Sequence, residues 1–109
     1  MTYKVRITKT AQVDMRNIYR YIADDLNSPV AAAHCISLID DAIRSLKENP
    51  TRCPLVRDKY LASRGYRIIV VKNYLVFFVV REKEQAVSIM RVLYGRRDWV
   101  RLLKVEQSV

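Results

Sequence analysis

Between Ala11 and Leu46 the apolar residues recur at spacings of three and four, and from Tyr66 onward they gather instead into strand-length runs. A chain whose hydrophobic period changes in this way must lay helices against a sheet, because each element has one apolar stripe or face to bury. The first stripe, Ala11, Met15, Ile18 and Ile22 with Tyr19 and Leu26 flanking, predicts a helix from about Thr10 to Leu26. Asn27 and Ser28 interrupt it. Pro29 suits the first turn of a second helix, where its missing N–H has no partner to lose, with Ser28 as N-cap. That stripe runs Ala32, Cys35, Ile36, Ile39, Ala42, Ile43 and Leu46 and stops at Asn49-Pro50. So short a link predicts an antiparallel helix hairpin.

Strand signals flank the hairpin. Tyr3 to Thr8 alternates apolar and polar residues, and Tyr66 to Val71, Tyr74 to Val80 and Ala86 to Tyr94 are rich in β-branched and aromatic residues. Lys72-Asn73 suits a tight hairpin because Asn tolerates positive φ. Arg81 to Gln85 makes the next turn, and Gly95 ends the last strand. Residues 50–63 hold two prolines without a clean period and predict an irregular connection. The expectation is one α+β domain over residues 1–109, ordered β-α-α-β-β-β. Its helix hairpin packs on one face of a mainly antiparallel four-stranded sheet and leaves the other face open. Arg96 to Lys104 forms either a short basic C-terminal helix or a mobile tail.

On the last strand, strict alternation groups Ser88, Met90, Val92 and Tyr94 against Val87, Ile89, Arg91 and Leu93. Arg91 then lies on an apolar face. Either a partner segment covers that face or the arginine head reaches solvent.

The 20 Lys and Arg against 11 Asp and Glu give a net charge of +9. The charge is regional. Residues 1–51 carry 7 basic and 6 acidic side chains, and residues 52–109 carry 13 and 5. Such a field favours encounter with a polyanion, whether nucleic acid, an anionic membrane surface or an acidic protein. No apolar run approaches the roughly 20 residues of a membrane span, and the N-terminus lacks a signal-peptide pattern, so a cytoplasmic chain is expected. Cys35 and Cys53 have no metal-ligand spacing and read as reduced thiols, Cys35 as a small buried hydrophobe.

A glycine-rich phosphate loop and a Cys/His cluster are both missing from the sequence, which predicts neither a cofactor nor a metal site. With His34 the single histidine, a two-histidine acid/base mechanism is excluded. Asp24-Asp25 and Asp40-Asp41 are helix neighbours pointing about 100° apart and read as solvated faces. What remains is cationic and phenolic: Arg57, Lys59, Arg64, Arg67, then Arg91, Tyr94, Arg96 and Arg97. Cations can stabilise a phosphorane in RNA cleavage, but a Tyr or Lys acts as acid or base only with its pKa moved towards neutrality.

The order of elements, the Gly65-Tyr66-Arg67 lead-in, the Tyr74-Leu75-Val76-Phe77-Phe78 strand and the run Arg91-Val92-Leu93-Tyr94-Gly95-Arg96-Arg97-Asp98-Trp99 resemble the RelE/ParE superfamily of bacterial toxin-antitoxin toxins. That resemblance implies a plasmid-stabilisation type toxin that inhibits growth and is neutralised by an acidic antitoxin, in a toxin-antitoxin hetero-oligomer. One branch cuts ribosome-bound mRNA as an mRNA interferase without metal; the other poisons DNA gyrase by binding. For the nuclease branch the resemblance implies Arg67, Arg91, Tyr94 and Arg96 as catalytic. For target or antitoxin binding it implies Arg64, Arg67, Arg91, Tyr94, Arg96, Arg97 and Trp99. The nuclease pattern also expects a second cation where Ile69 stands and an arginine on the strand that reads Tyr74-Leu75-Val76. Each lost donor costs such a site on the order of 3 kcal/mol. The longer paired helices resemble the gyrase branch, with the ribosome and its mRNA as the alternative target. A third alternative is an inactive module that only docks an acidic peptide.

Overall fold

The computed structural model describes residues 2–107. In chain order it holds β1 (Lys4–Ile7), α1 (Lys9–Arg20), α2 (Pro29–Ser45), α3 (Lys59–Ser63), β2 (Tyr66–Val71), β3 (Tyr74–Arg81), β4 (Ala86–Tyr94) and α4 (Trp99–Gln107). The strands form one open sheet in the order β1-β4-β3-β2, with β1 parallel to β4 and the other pairs antiparallel. This is the expected α+β architecture.

Thr8 starts α1: its hydroxyl accepts the Ala11 N–H at 3.2 Å and donates to the Ile89 carbonyl at 2.7 Å. The cap therefore also ties the helix to β4. Beyond Arg20 the helix widens into a π turn over Tyr21–Asp25, in which the Leu26 N–H reaches the Tyr21 carbonyl at 3.0 Å. Pro29 occupies the first turn of α2 as expected, while Ser28 holds the N-cap position without a side-chain bond. Ile18, Ile39, Ile43 and Leu46 from this hairpin bury against Val76, Phe78, Val87, Ile89 and Val92 of the sheet.

The second sheet face is not open. Leu75, Phe77 and Val79 make that side of β3 as apolar as the first, so it needs its own cover. Leu61 of α3 and Leu103 of α4 are fully buried there with Phe77 and Leu93, and the Trp99 ring lies 5.1 Å from that of Phe77. The C-terminal segment is a docked helix rather than a mobile tail.

Residues 50–63 are ordered by local bonds that a period count cannot see. The Arg52 guanidinium donates to the Glu48 and Asn49 carbonyls at 2.6 and 3.1 Å and to the Ser45 carbonyl, at the end of α2, at 3.4 Å. A 3-10 turn covers Pro50–Arg52, and Asp58 caps α3 by accepting the Leu61 N–H at 3.0 Å. Between them the chain runs along the outer edge of β2, with Val56 N–H to Tyr66 carbonyl at 3.0 Å and Ile68 N–H to Pro54 carbonyl at 3.1 Å. That edge is thereby withheld from other strands.

Two local expectations also change. At the β2–β3 turn the positive φ, 56°, belongs to Lys72 and not to Asn73, because primed hairpin turns demand it at their first central position. On β4, Phe78 pairs with Ile89 and Phe77 with Arg91, which leaves Met90 as an inserted residue. The alternation resets at this bulge, so Val92 joins Val87 and Ile89 on the hairpin side and Met90 joins Leu93 on the α4 side. Strict alternation had placed Val92 with Met90.

Candidate interaction cleft

β1 ends at Ile7 opposite Ile89, so the outer edge of β4 beyond that point loses its neighbouring strand. Asp14 of α1 supplies what is missing. Its Oδ2 accepts the Val92 N–H at 2.9 Å and the Arg91 Nε at 2.7 Å, and its Oδ1 accepts Arg91 Nη2 at 2.9 Å. The two side chains are only 9% and 13% exposed. Arg91 on its apolar strand is therefore buried and paired within its own chain. Sequence reasoning missed Asp14, although a signal existed: it stands on the buried stripe with Ala11 and Ile18.

Past this pair, where the sheet and the hairpin diverge, a cleft of about 770 Å³ opens between the π-turn end of α1, the start of α2 and the end of the sheet. Its size lies within the roughly 300–1,000 Å³ usual for ligand clefts. Ile18, Ile22, Leu38 and Val92 line it with apolar surface, and Leu26 stands at its lip, 55% exposed. Lys72 reaches it from the β2–β3 turn, Arg97 from the turn after β4, and His34 from α2. The two turns are tied by the Gly95 N–H to the Asn73 carbonyl at 2.8 Å. A Cβ on Gly95 would lie 3.2 Å from that oxygen, so the glycine permits the approach.

Tyr74 and Tyr94 meet edge to face across the strands at 5.7 Å, and Tyr21 completes the phenolic wall. Burial pushes the Tyr74 hydroxyl up, with Cys35, Tyr94 and Tyr21 adding to the effect. Burial likewise pushes the Cys35 thiol up, and Lys72 draws it only partly back. Both shifts lead away from neutrality, so neither group is poised as a base or nucleophile. Among the described residues no cluster of three or more His, Cys, Asp or Glu could hold a metal ion.

The seven sequence candidates do not converge. Arg64 is exposed at the end of α3, and Arg67, at the start of β2, donates to the Cys53 carbonyl at 2.6 Å. Register aligns Arg67 with Phe78 and Ile89, which puts it roughly 15 Å along the strands from Tyr94. Trp99 belongs to the opposite face. Tyr94 and Arg97 alone share the cleft, with exposed Arg96 on the same turn. His34 also lines it, as does Cys35, which the sequence suggested as a small buried hydrophobe.

Among the described residues no helix is long and apolar enough to cross a membrane. No curated protein matches the chain at a significant level. Solved structures do. The chromosomal ParDE toxin-antitoxin system of P. aeruginosa aligns with TM-score 0.71 at 16% identity, over 85% of this chain and 96% of that one. The toxin-antitoxin complex RelBE2 of Mycobacterium tuberculosis aligns at 0.61 and 23% identity, over 86% and 99%. A mutant E. coli RelE toxin in the free state aligns at 0.66 and 12% identity, over the whole of both chains. At such identities these likenesses speak for the fold. The family model described as ParE toxin of type II toxin-antitoxin system, parDE, matches residues 5–99, and with the match spanning most of its length the chain belongs to that family, within the RelE/ParE superfamily of type II toxins.

Proposed function

We propose that this toxin arrests growth by binding DNA gyrase and that an acidic antitoxin neutralises it. One observation carries the choice of target: the two interior cations that a nuclease site would need are already engaged. Arg67 donates through Nη1 to the Cys53 carbonyl and Arg91 holds Asp14 through two bonds, so both serve the fold in this structure. Charge stabilisation works only with donors aimed at the reacting group. Of the exposed cations, Arg96 and Arg97 stand beside Tyr94 on one turn and suit a binding surface. An antitoxin partner is favoured by the ParDE and RelBE2 neighbours, whose names are those of toxin-antitoxin assemblies. Its acidity is favoured by the +8 balance of residues 52–109.

The deciding experiment adds purified protein to a gyrase supercoiling reaction. Stalled supercoiling with accumulation of cleaved DNA is expected, whereas gyrase untouched at micromolar toxin sinks the proposal. A translating extract serves as the second arm. Messenger RNA stays intact there on this reading; codon-positioned cuts that vanish in Arg96→Ala would move the function to the ribosome.

A further inference from the structure

We propose that the face formed by α3 and α4 docks the phosphate backbone of duplex DNA, so that the toxin grips the DNA of the gyrase complex as well as the enzyme. The inference rests on the gyrase reading and adds a second surface and the chemistry of its partner.

The positive charge of the chain is more local than its two halves suggest. Residues 57–64 and 96–104 together hold 7 basic and 2 acidic side chains, a balance of +5 out of the net +9. The fold brings these stretches together, because Lys104 of α4 reaches Asp58 at the start of α3, its Nζ 3.3 Å from Oδ1. Arg57 and Lys59 flank that contact, Arg64 follows at the other end of α3, and Arg101 precedes Lys104 by three positions on α4. All five cations are exposed. The two carboxylates of these stretches are committed: Asp58 accepts the Leu61 N–H at 3.0 Å and pairs with Lys104, and Asp98 accepts the Arg101 N–H at 3.4 Å. Among the described residues Arg57, Lys59 and Arg101 have no acidic partner. An incoming phosphate therefore meets cations whose neighbouring anions are already engaged.

The rest of the face selects among polyanions. Among the described residues, Tyr60 and Val105 are the only large apolar side chains that α3 and α4 expose, so an acidic peptide finds charge there with few anchors. Single-stranded nucleic acid is held by open aromatic platforms, but the Tyr60 ring has Lys104 Nζ over it, 5.8 Å from its centre. A duplex asks only for cations spread along its backbone. Position supplies the consequence. The Arg96-Arg97 turn leads from β4 into α4 and stands between the cleft and this face. The toxin thus presents Tyr94 and Arg97 to a protein and α3 with α4 to DNA at the same time, and two linked contacts hold a cleaved complex more firmly than either alone.

The test titrates the full chain against a short fluorescein-labelled DNA duplex, without gyrase, and follows anisotropy across salt concentrations. Affinity should fall with a log–log salt slope of about −3 to −4.5, as for roughly three to five neutralised phosphates. In the variant Arg57→Ala/Lys59→Ala/Arg101→Ala the slope should shrink by about 3 and affinity at low salt should drop by about tenfold or more. The control Lys9→Ala/Arg16→Ala/Arg20→Ala removes the same charge from exposed positions of α1, across the sheet, and should change the slope little. Circular dichroism and Trp99 emission identical to wild type show that both variants keep the fold. An equal loss in the two variants would overturn the proposal, because total charge rather than this face would then be responsible. So would the lack of saturable duplex binding, or tighter binding of polyglutamate or single-stranded RNA of equal charge. Stalled gyrase without duplex binding would sink this face while sparing the gyrase reading, and duplex binding with gyrase untouched would do the reverse.

Discussion

Asp14 does three things with one carboxylate: it pairs Arg91 through two bonds, caps the Val92 N–H and thereby ends the sheet edge. Removing it takes a carboxylate away from a buried guanidinium and a buried backbone donor. Asp14→Ala should cost about 3–5 kcal/mol in urea denaturation, as expected when one member of a buried pair is deleted. Asp14→Asn should cost less, because its amide oxygen still accepts the Val92 N–H. A loss as large for Asn as for Ala would mean that the charge alone matters. Arg67 shows the same economy on a smaller scale. Its place on an apolar strand looked functional from the sequence, yet it secures the Cys53 carbonyl of the segment that protects the β2 edge.

Among the elements, α4 carries the clearest consequence. It is held by Leu103 in the second core, by Trp99 against Phe77, and by Lys104, whose Nζ lies 3.3 Å from Asp58 Oδ1 and 5.8 Å from the centre of the Tyr60 ring. Leu103→Ala should destabilise by about 2–5 kcal/mol. Asp58 adds a pH dependence. The Leu61 N–H, foremost, and Lys104 hold its carboxyl below the ordinary carboxylate value. The folded pKa is thus depressed, so the contribution is present above the unfolded value and lost as pH falls through the folded one, below about pH 4. Emission from Trp99, the only tryptophan, should report α4 loosening over that acid range. In Asp58→Asn, which keeps the helix cap, the acid-dependent part of the change should shrink.

At the scale of the molecule, one sheet separates two cores. Phe78 faces the helix hairpin and Phe77 faces α4, each fully buried and adjacent in the chain. Since both rings belong to β3, neither core can come apart without losing that central strand. Phe77→Ala and Phe78→Ala should each cost about 3–5 kcal/mol and lower a single calorimetric transition. Two separate transitions would refute this coupling. The same layering leaves the far end of the hairpin unsupported by sheet, and the cleft is the gap that results.

Much of this architecture was legible in the residues themselves. The stripes Ala11 to Ile22 and Ala32 to Leu46, the breakers at Asn27-Ser28-Pro29 and Asn49-Pro50, and the β-branched runs from Tyr66 to Tyr94 placed both long helices and all four strands, because periodicity along a chain records which side of an element meets water. The regional positive charge was equally plain. What the tertiary structure alone decided depends on residues far apart in sequence. Asp14 and Arg91 are separated by 77 positions, and neither has a local pattern that names its partner. The bulge at Met90 shifts the side-chain alternation through pairing with β3, which a period-two count does not contain. Cover for the second sheet face required α4 to fold back on Phe77. The cleft exists only because Lys72, Arg97, Tyr94 and the π-turn end of α1 meet there, brought together by a single bond between two turns and by the packing of helices on strands.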